Sequence, residues 1–343
     1  MHFDHFFADY GILPSAYFKK SAITNPMEMF WSEDLCALLR LCGEGEKTIG
    51  QCASDFDRFL SLCRVFPLLE GHPTRTWIIS VLQKHFGLQE PPTAANANEV
   101  WKFLCKSLLK DPLPPQTLVS GAWLCDSLIV PDYLPTNVTP VLNAKLLLDT
   151  NAKIAAAWSA EIATTVAHFA SRGCTKVVLH LDKDFGFVRP SLYHVDRALS
   201  VGKKDRQTTN LLLCQLAREL CAAAQKNALM AVLVCDKNAY DASELLQYCE
   251  ESVGLPPLCW CICEAREALP LLEFSAKPHR SEIFAALAHK STMTQQELTD
   301  VLNGWRVRYP IGRLGFITAC DLRQTPSAQK YICDMLENSK IKI

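Results

Sequence analysis

Residues 176–235 read KVVLHLDKDFGFVRPSLYHVDRALSVGKKDRQTTNLLLCQLARELCAAAQKNALMAVLVC, and this stretch decides the fold. It opens on an apolar run of strand length, 176–181, and closes on another, 229–235. Between them residues 205–226 repeat Leu, Ala and Cys at helical spacing over a length that only a helix fills. Two buried strands joined by a helical crossover make the unit of a parallel sheet, because parallel neighbours need a connection of a dozen or more residues. The same alternation continues on both sides. Upstream, a helix over 153–172 carries Trp158, Ile162, Val166 and Phe169 as one stripe, and 117–123 and 137–142 read as strands. Downstream, strands are expected at 258–263, 271–275 and 314–320, and an eighth at the N-terminus, 1–7. Eight parallel strands with helical crossovers predict an α/β fold of the (β/α)8 TIM-barrel class, for which about 250 residues is usual. The competing open, doubly wound sheet would be marked by a Gly-x-Gly-x-x-Gly turn after a strand, and none is present.

Residues 15–115 interrupt this pattern and read as helix throughout. Ser32 starts a run with Leu35, Leu38, Leu39 and Cys42 at helical spacing, stopped by Gly43 and Gly45. Ser54 caps a second run with Phe56, Phe59, Leu60 and Cys63, ending before Pro67. Residues 76–86, closed by Gly87, and 98–109, closed by Asp111 and Pro112, form two more. The expected organisation is a first barrel strand in 1–14, an all-helical insertion in 15–115, and the remainder of the barrel in 116–343.

The chain has 343 residues, 49% of them hydrophobic and 21% charged, which supplies a sizeable core. With 35 Lys and Arg against 36 Asp and Glu, no cation excess exists to neutralise nucleic-acid phosphates. No apolar run approaches the roughly 20 residues of a membrane-spanning helix. The opening MHFDHFFADYGILP lacks the pattern of a secretory signal, so a cytoplasmic protein is expected. The sixteen cysteines are scattered through apolar segments and read as reduced core side chains. In Cys259-Trp260-Cys261-Ile262-Cys263 the period of a strand puts all three thiols on one face. A metal or redox use of that cluster is the lesser alternative.

Chemistry in such a barrel belongs at the carboxyl ends of the strands. With strand one placed at 1–7, its end is His2-Phe3-Asp4-His5, and alternation puts His2 and Asp4 on one face, both able to ligate a divalent metal. Strand four ends in His180-Leu181-Asp182, strand five in Cys235-Asp236-Lys237, and strand eight in Asp321-Leu322-Arg323. An aspartate after a strand is also an ordinary cap for the next helix. The run Lys203-Lys204-Asp205-Arg206 reads as the opening of a solvated helix.

The order of these features resembles the uronate isomerases, metal-dependent (β/α)8 barrels of the amidohydrolase superfamily with a helical region after strand one. The resemblance rests on His85-Phe86-Gly87-Leu88 closing a helix, on Ala97-Asn98-Glu99-Val100-Trp101 opening the next, on the segment 168–174, and on Asp321-x-Arg323 followed by a helix near 329–336. It implies isomerase chemistry that interconverts aldose and ketose sugar acids of the glucuronate and fructuronate type. It further implies Asp321 as catalytic residue, Arg323, His180 and Asp182 around a small sugar acid, and a divalent ion such as Zn or Mn on His2, Asp4 and Asp321. Where the family begins with His-x-His, this chain has His2-Phe3-Asp4-His5. The late strand-five histidine falls at Val234 and Cys235, and the Trp-Arg after strand three at Leu142-Asn143. A degenerate, non-catalytic barrel serving binding or assembly is the alternative reading, and a homo-oligomer is compatible with either.

Overall fold

The computed structural model describes residues 6–7, 10–20, 22–70, 72–201, 205–263, 267–288, 304, 314–317 and 319–321. Strand β1 comprises Phe6–Phe7 and Tyr10–Ile12. It is followed by β2 (Gly121–Leu124), β3 (Val138–Asn143), β4 (Lys176–Leu181), β5 (Met230–Cys235), β6 (Leu258–Ile262) and β7 (Ile283–Ala288). Strand β8 comprises Leu314–Ile317 and Ala319–Asp321. Every neighbouring pair runs parallel, in sequence order from β1 to β8.

The sheet then closes on itself. Phe6 pairs with Gly315 and Ile12 with Asp321, and the same offset of 309 residues separates both pairs. Among the described residues the result is a closed parallel barrel, and the (β/α)8 expectation holds.

Alternation along the strands sorts side chains between two cores. Val141, Val178, Val232, Cys259, Cys261 and Phe284 belong to the inner cluster. The residues between them, such as Leu142, Val177, Leu179, Leu233 and Trp260, pack outward beneath the helices. The crossover helices include α7 (Ala155–Ser171), α8 (Leu192–Val201), α9 (Arg206–Lys226), α10 (Ala239–Val253) and α11 (Leu269–Ser275). The expected stripe of α7 is buried along its whole length, and Asp205 caps α9 by accepting from the Thr208 amide at 2.8 Å. Arg206, in the charge run, donates to the Asp184 carbonyl at 2.8 Å and so ties the start of α9 to the loop after β4.

Between β1 and β2 the ordered elements are helical: α1 (Pro26–Phe30), α2 (Glu33–Leu41), α3 (Glu46–Ile49), α4 (Asp55–Val65), α5 (Pro73–Phe86) and α6 (Ala97–Lys110). An antiparallel bridge between Ile23 and Leu113 brings the ends of this segment together. Its apolar faces, including Phe30, Phe59, Ile78 and Leu104, share one continuous core with the outer face of the barrel.

Three expected strands are corrected. Residues 271–275 are not a strand but most of helix α11, and strand seven is β7 instead. Pro270 stands at the start of that helix, and Ser275 Oγ donates to the Leu271 carbonyl one turn back. Strand two begins at Gly121, because Pro115–Leu118 forms a turn of 3-10 helix. Strand one extends to Ile12, so His2-Phe3-Asp4-His5 is not its carboxyl end. His2 and Asp4 lie outside the described residues. The residue paired with Asp321 is Ile12, so the end of strand one beside Asp321 is formed by Gly11, Ile12 and Leu13.

Candidate active site at the carboxyl mouth of the barrel

The carboxyl ends of β1 to β8 form one mouth. Strand β1 arrives there as Gly11-Ile12-Leu13. Leu13 is only 4% exposed, and its carbonyl accepts from the indole Nε1 of Trp123 at 2.7 Å. Phe18 packs edge-on against that indole with ring centroids 5.0 Å apart. After β2, Asp126 Oδ2 accepts from the Ser15 amide at 2.9 Å, which fixes the first turn beyond β1.

Polar chemistry gathers after β3, β4 and β5. Asn143 ends β3 and turns back to accept from the Lys145 amide at 3.2 Å. Lys145 Nζ reaches both carboxylate oxygens of Asp182, at 2.6 and 2.8 Å. His180 is the last inward-facing residue of β4 by alternation with Val178, and it is partly buried. Burial holds its imidazole below the ordinary histidine range. The Lys145 charge acts in the same direction, and Asp236 and Asp182 oppose it. A neutral imidazole beside an ammonium and two carboxylates can accept, pass on or donate a proton.

Beside β1 and β2 a cleft of about 860 Å³ opens between the barrel and the helical segment. Leu13, Leu124 and Asp126 form its barrel wall, and Trp31, Asp55 and Arg58 stand on the helical side. The Arg58 guanidinium lies 4.9 Å from the Trp31 ring centre, donates to the Gly50 carbonyl at 2.8 Å, and pairs with Asp55 at 3.3 Å. Lys20 and Glu28 pair at 3.3 Å on the same side.

The structure therefore brings together His180, Asp182 and Asp236 of the strand-end residues read from the sequence, and joins Lys145 to them. The backbone of Asp321 stands at the mouth beside Ile12, and its side chain is outside the described set, as is all of Arg323. Lys145 was missed because it belongs to a short 3-10 turn after β3, and no sequence signal ties it to Asp182, 37 residues away. The cleft was missed because its helical wall comes from a segment read only for its apolar stripes. Among the described residues no three of His, Cys, Asp and Glu converge in a way that would hold a metal ion.

Residues 23–124 match the glucuronate isomerase family model, covering the helical segment and β2. The uronate isomerase of Thermotoga maritima is 33% identical over 82 residues, 24% of this chain and 18% of that protein. That of Streptococcus uberis is 28% identical over 111 residues, 32% of this chain and 24% of that protein. The matched stretch thus spans about a fifth of these curated relatives. The crystal structure of the Thermotoga maritima uronate isomerase superposes with a TM-score of 0.73 at 14% identity, covering 98% of this chain and 90% of that one. A Caulobacter crescentus glucuronate isomerase gives 0.65 at 12%, covering 97% and 86%. At those identities the superpositions establish the fold. The resemblance to the uronate isomerase family drawn from the sequence is borne out.

Proposed function

We propose, from the resemblance to the uronate isomerases, that this chain binds a sugar acid of the uronate class at the carboxyl mouth and interconverts its aldose and ketose forms. The observation that carries the reading is the grouping of His180, Lys145, Asp182 and Asp236 at the carboxyl end of a closed barrel, where such folds keep their chemistry. The reaction moves one proton from C2 of the aldose to C1 of the ketose and shifts the hydroxyl proton between their oxygens. It needs a base near C2 and a cation for the carboxylate. In this reading Asp321 takes the C2 proton, Arg323 holds the carboxylate, and His180 serves the hydroxyl protons, kept neutral at pH 7 by its surroundings. Lys145, held by Asp182, supplies positive charge where the enediolate oxygen develops.

The experiment is the melting temperature of the full chain with glucuronate or galacturonate, joined to NMR detection of deuterium entering C2 from heavy water. Stabilisation and exchange are expected, with exchange lost in Asp321→Asn while stabilisation persists. Stabilisation without exchange reduces the reading to binding alone. Neither effect with either sugar acid removes it.

A further inference from the structure

The resemblance implies a divalent ion held by a His-x-His pair late in strand one. The described residues at the carboxyl end of strand one do not fit such an ion. The carboxyl end of β1 is set by the pairing of Ile12 with Asp321, and the residues there are Gly11, Ile12 and Leu13. Zinc and manganese take nitrogen, oxygen or sulfur donors, and these side chains offer hydrocarbon or nothing. The Leu13 carbonyl is already engaged by Trp123 Nε1 at 2.7 Å, and Trp123 is fully buried with Phe18 against it. Beneath this end the lumen is lined by Val, Leu, Ala and Phe side chains and by the Cys259 and Cys261 thiols. Burial in hydrocarbon pushes both thiols well above their ordinary range, which opposes the deprotonation a ligand thiol must undergo.

We infer that Gly11, Leu13, Trp123 and Phe18 form an apolar seal where the family resemblance places a metal cradle, and that the mouth works with no divalent ion at strand one. The seal also has a structural task. It joins the end of β1 to β2 through the Trp123 bond, and to the helical segment through Phe18. Asp321 is then left to act on a ligand directly. The inference is independent of the sugar-acid reading, because cationic side chains bind a carboxylate without a metal.

The test uses the full chain purified without chelator, incubated with excess Zn²⁺ or Mn²⁺, and passed through gel filtration before metal analysis. Content below about a tenth of an equivalent, with a melting temperature insensitive to EDTA, is expected. A stoichiometric ion that is retained by the wild type and lost in Asp321→Asn overturns the inference. An ion unaffected by that substitution lies elsewhere and leaves the seal standing. Trp123→Phe removes only the indole donor and is expected to lower the melting temperature by about 2 °C with metal content unchanged. No change in melting temperature would remove the seal. Uronate-induced stabilisation, measured with and without EDTA, separates the two readings. Present only without EDTA, it overturns the seal. Absent in both, it sinks sugar-acid binding and leaves the metal result in place.

Discussion

His180 is a titratable side chain whose protonation its surroundings in the mouth disfavour. Its folded pKa lies below the 6.5 of an unperturbed histidine, so on acidification the unfolded chain takes its proton first. Stability that is present above pH 6.5 is therefore lost as pH falls through the folded value. His72 and His85, also lowered by burial, add to the same slope. His180→Gln is expected to flatten the dependence of melting temperature on pH below 6.5, and an unchanged slope would show that His180 titrates normally. Lys145→Met removes a charge that lowers the histidine pKa, so the His180 ring titration followed by NMR moves upward. The Lys145–Asp182 pair itself is solvent-screened, with side-chain exposures of 37% and 64%. It contributes to stability only about 0.5 kcal/mol, which a double-mutant cycle would measure.

At the scale of elements, the helix signals are local and the sequence states them openly. Ser32 and Ser54 cap α2 and α4 by accepting from the amides three residues on, at 3.0 and 3.1 Å. Ser54→Ala is expected to cost about 1 kcal/mol in urea unfolding, with no change in the slope against urea. A loss under a few tenths would mean that solvent replaces the hydroxyl. Gly87 closes α5 at φ +68°, a left-handed position where Gly87→Ala costs about 1 kcal/mol or more although nothing crowds the site. Helix α11 and strand β7 were the difficult elements. Leu271, Leu272 and Phe274 are apolar enough for a buried strand, and β7 holds three alanines, Ala285, Ala286 and Ala288, whose own preference is for helix. Short apolar runs carry no decisive period, so pairing settled them: Ile283–Ala288 meets β6 on one side and β8 on the other.

For the molecule as a whole, closure is the governing fact, and it controls the thiols as well as the mouth. Cys63, Cys125, Cys214 and Cys235 are buried and pushed up to about 12, whereas Cys52 is exposed. Native labelling with iodoacetamide is expected to modify Cys52 and to spare Cys259 and Cys261 until the barrel unfolds. Labelling of the lumen pair in native buffer would mean that the barrel opens locally. The sequence by itself determined the class of fold, the helical segment after strand one, the helix caps and the common face of Cys259, Cys261 and Cys263. Those features follow from period, capping and length, which act between residues near in the chain. Only the tertiary structure decided where strand one ends, that Leu13 and Trp123 seal that end, and that Lys145 meets Asp182 beside His180. These depend on register between strands distant in sequence. Nine residues separate His2 and Asp4, where the pattern alone put the carboxyl end, from Gly11 and Leu13, where the pairing of Ile12 with Asp321 puts it, and the chemistry of the mouth changes accordingly.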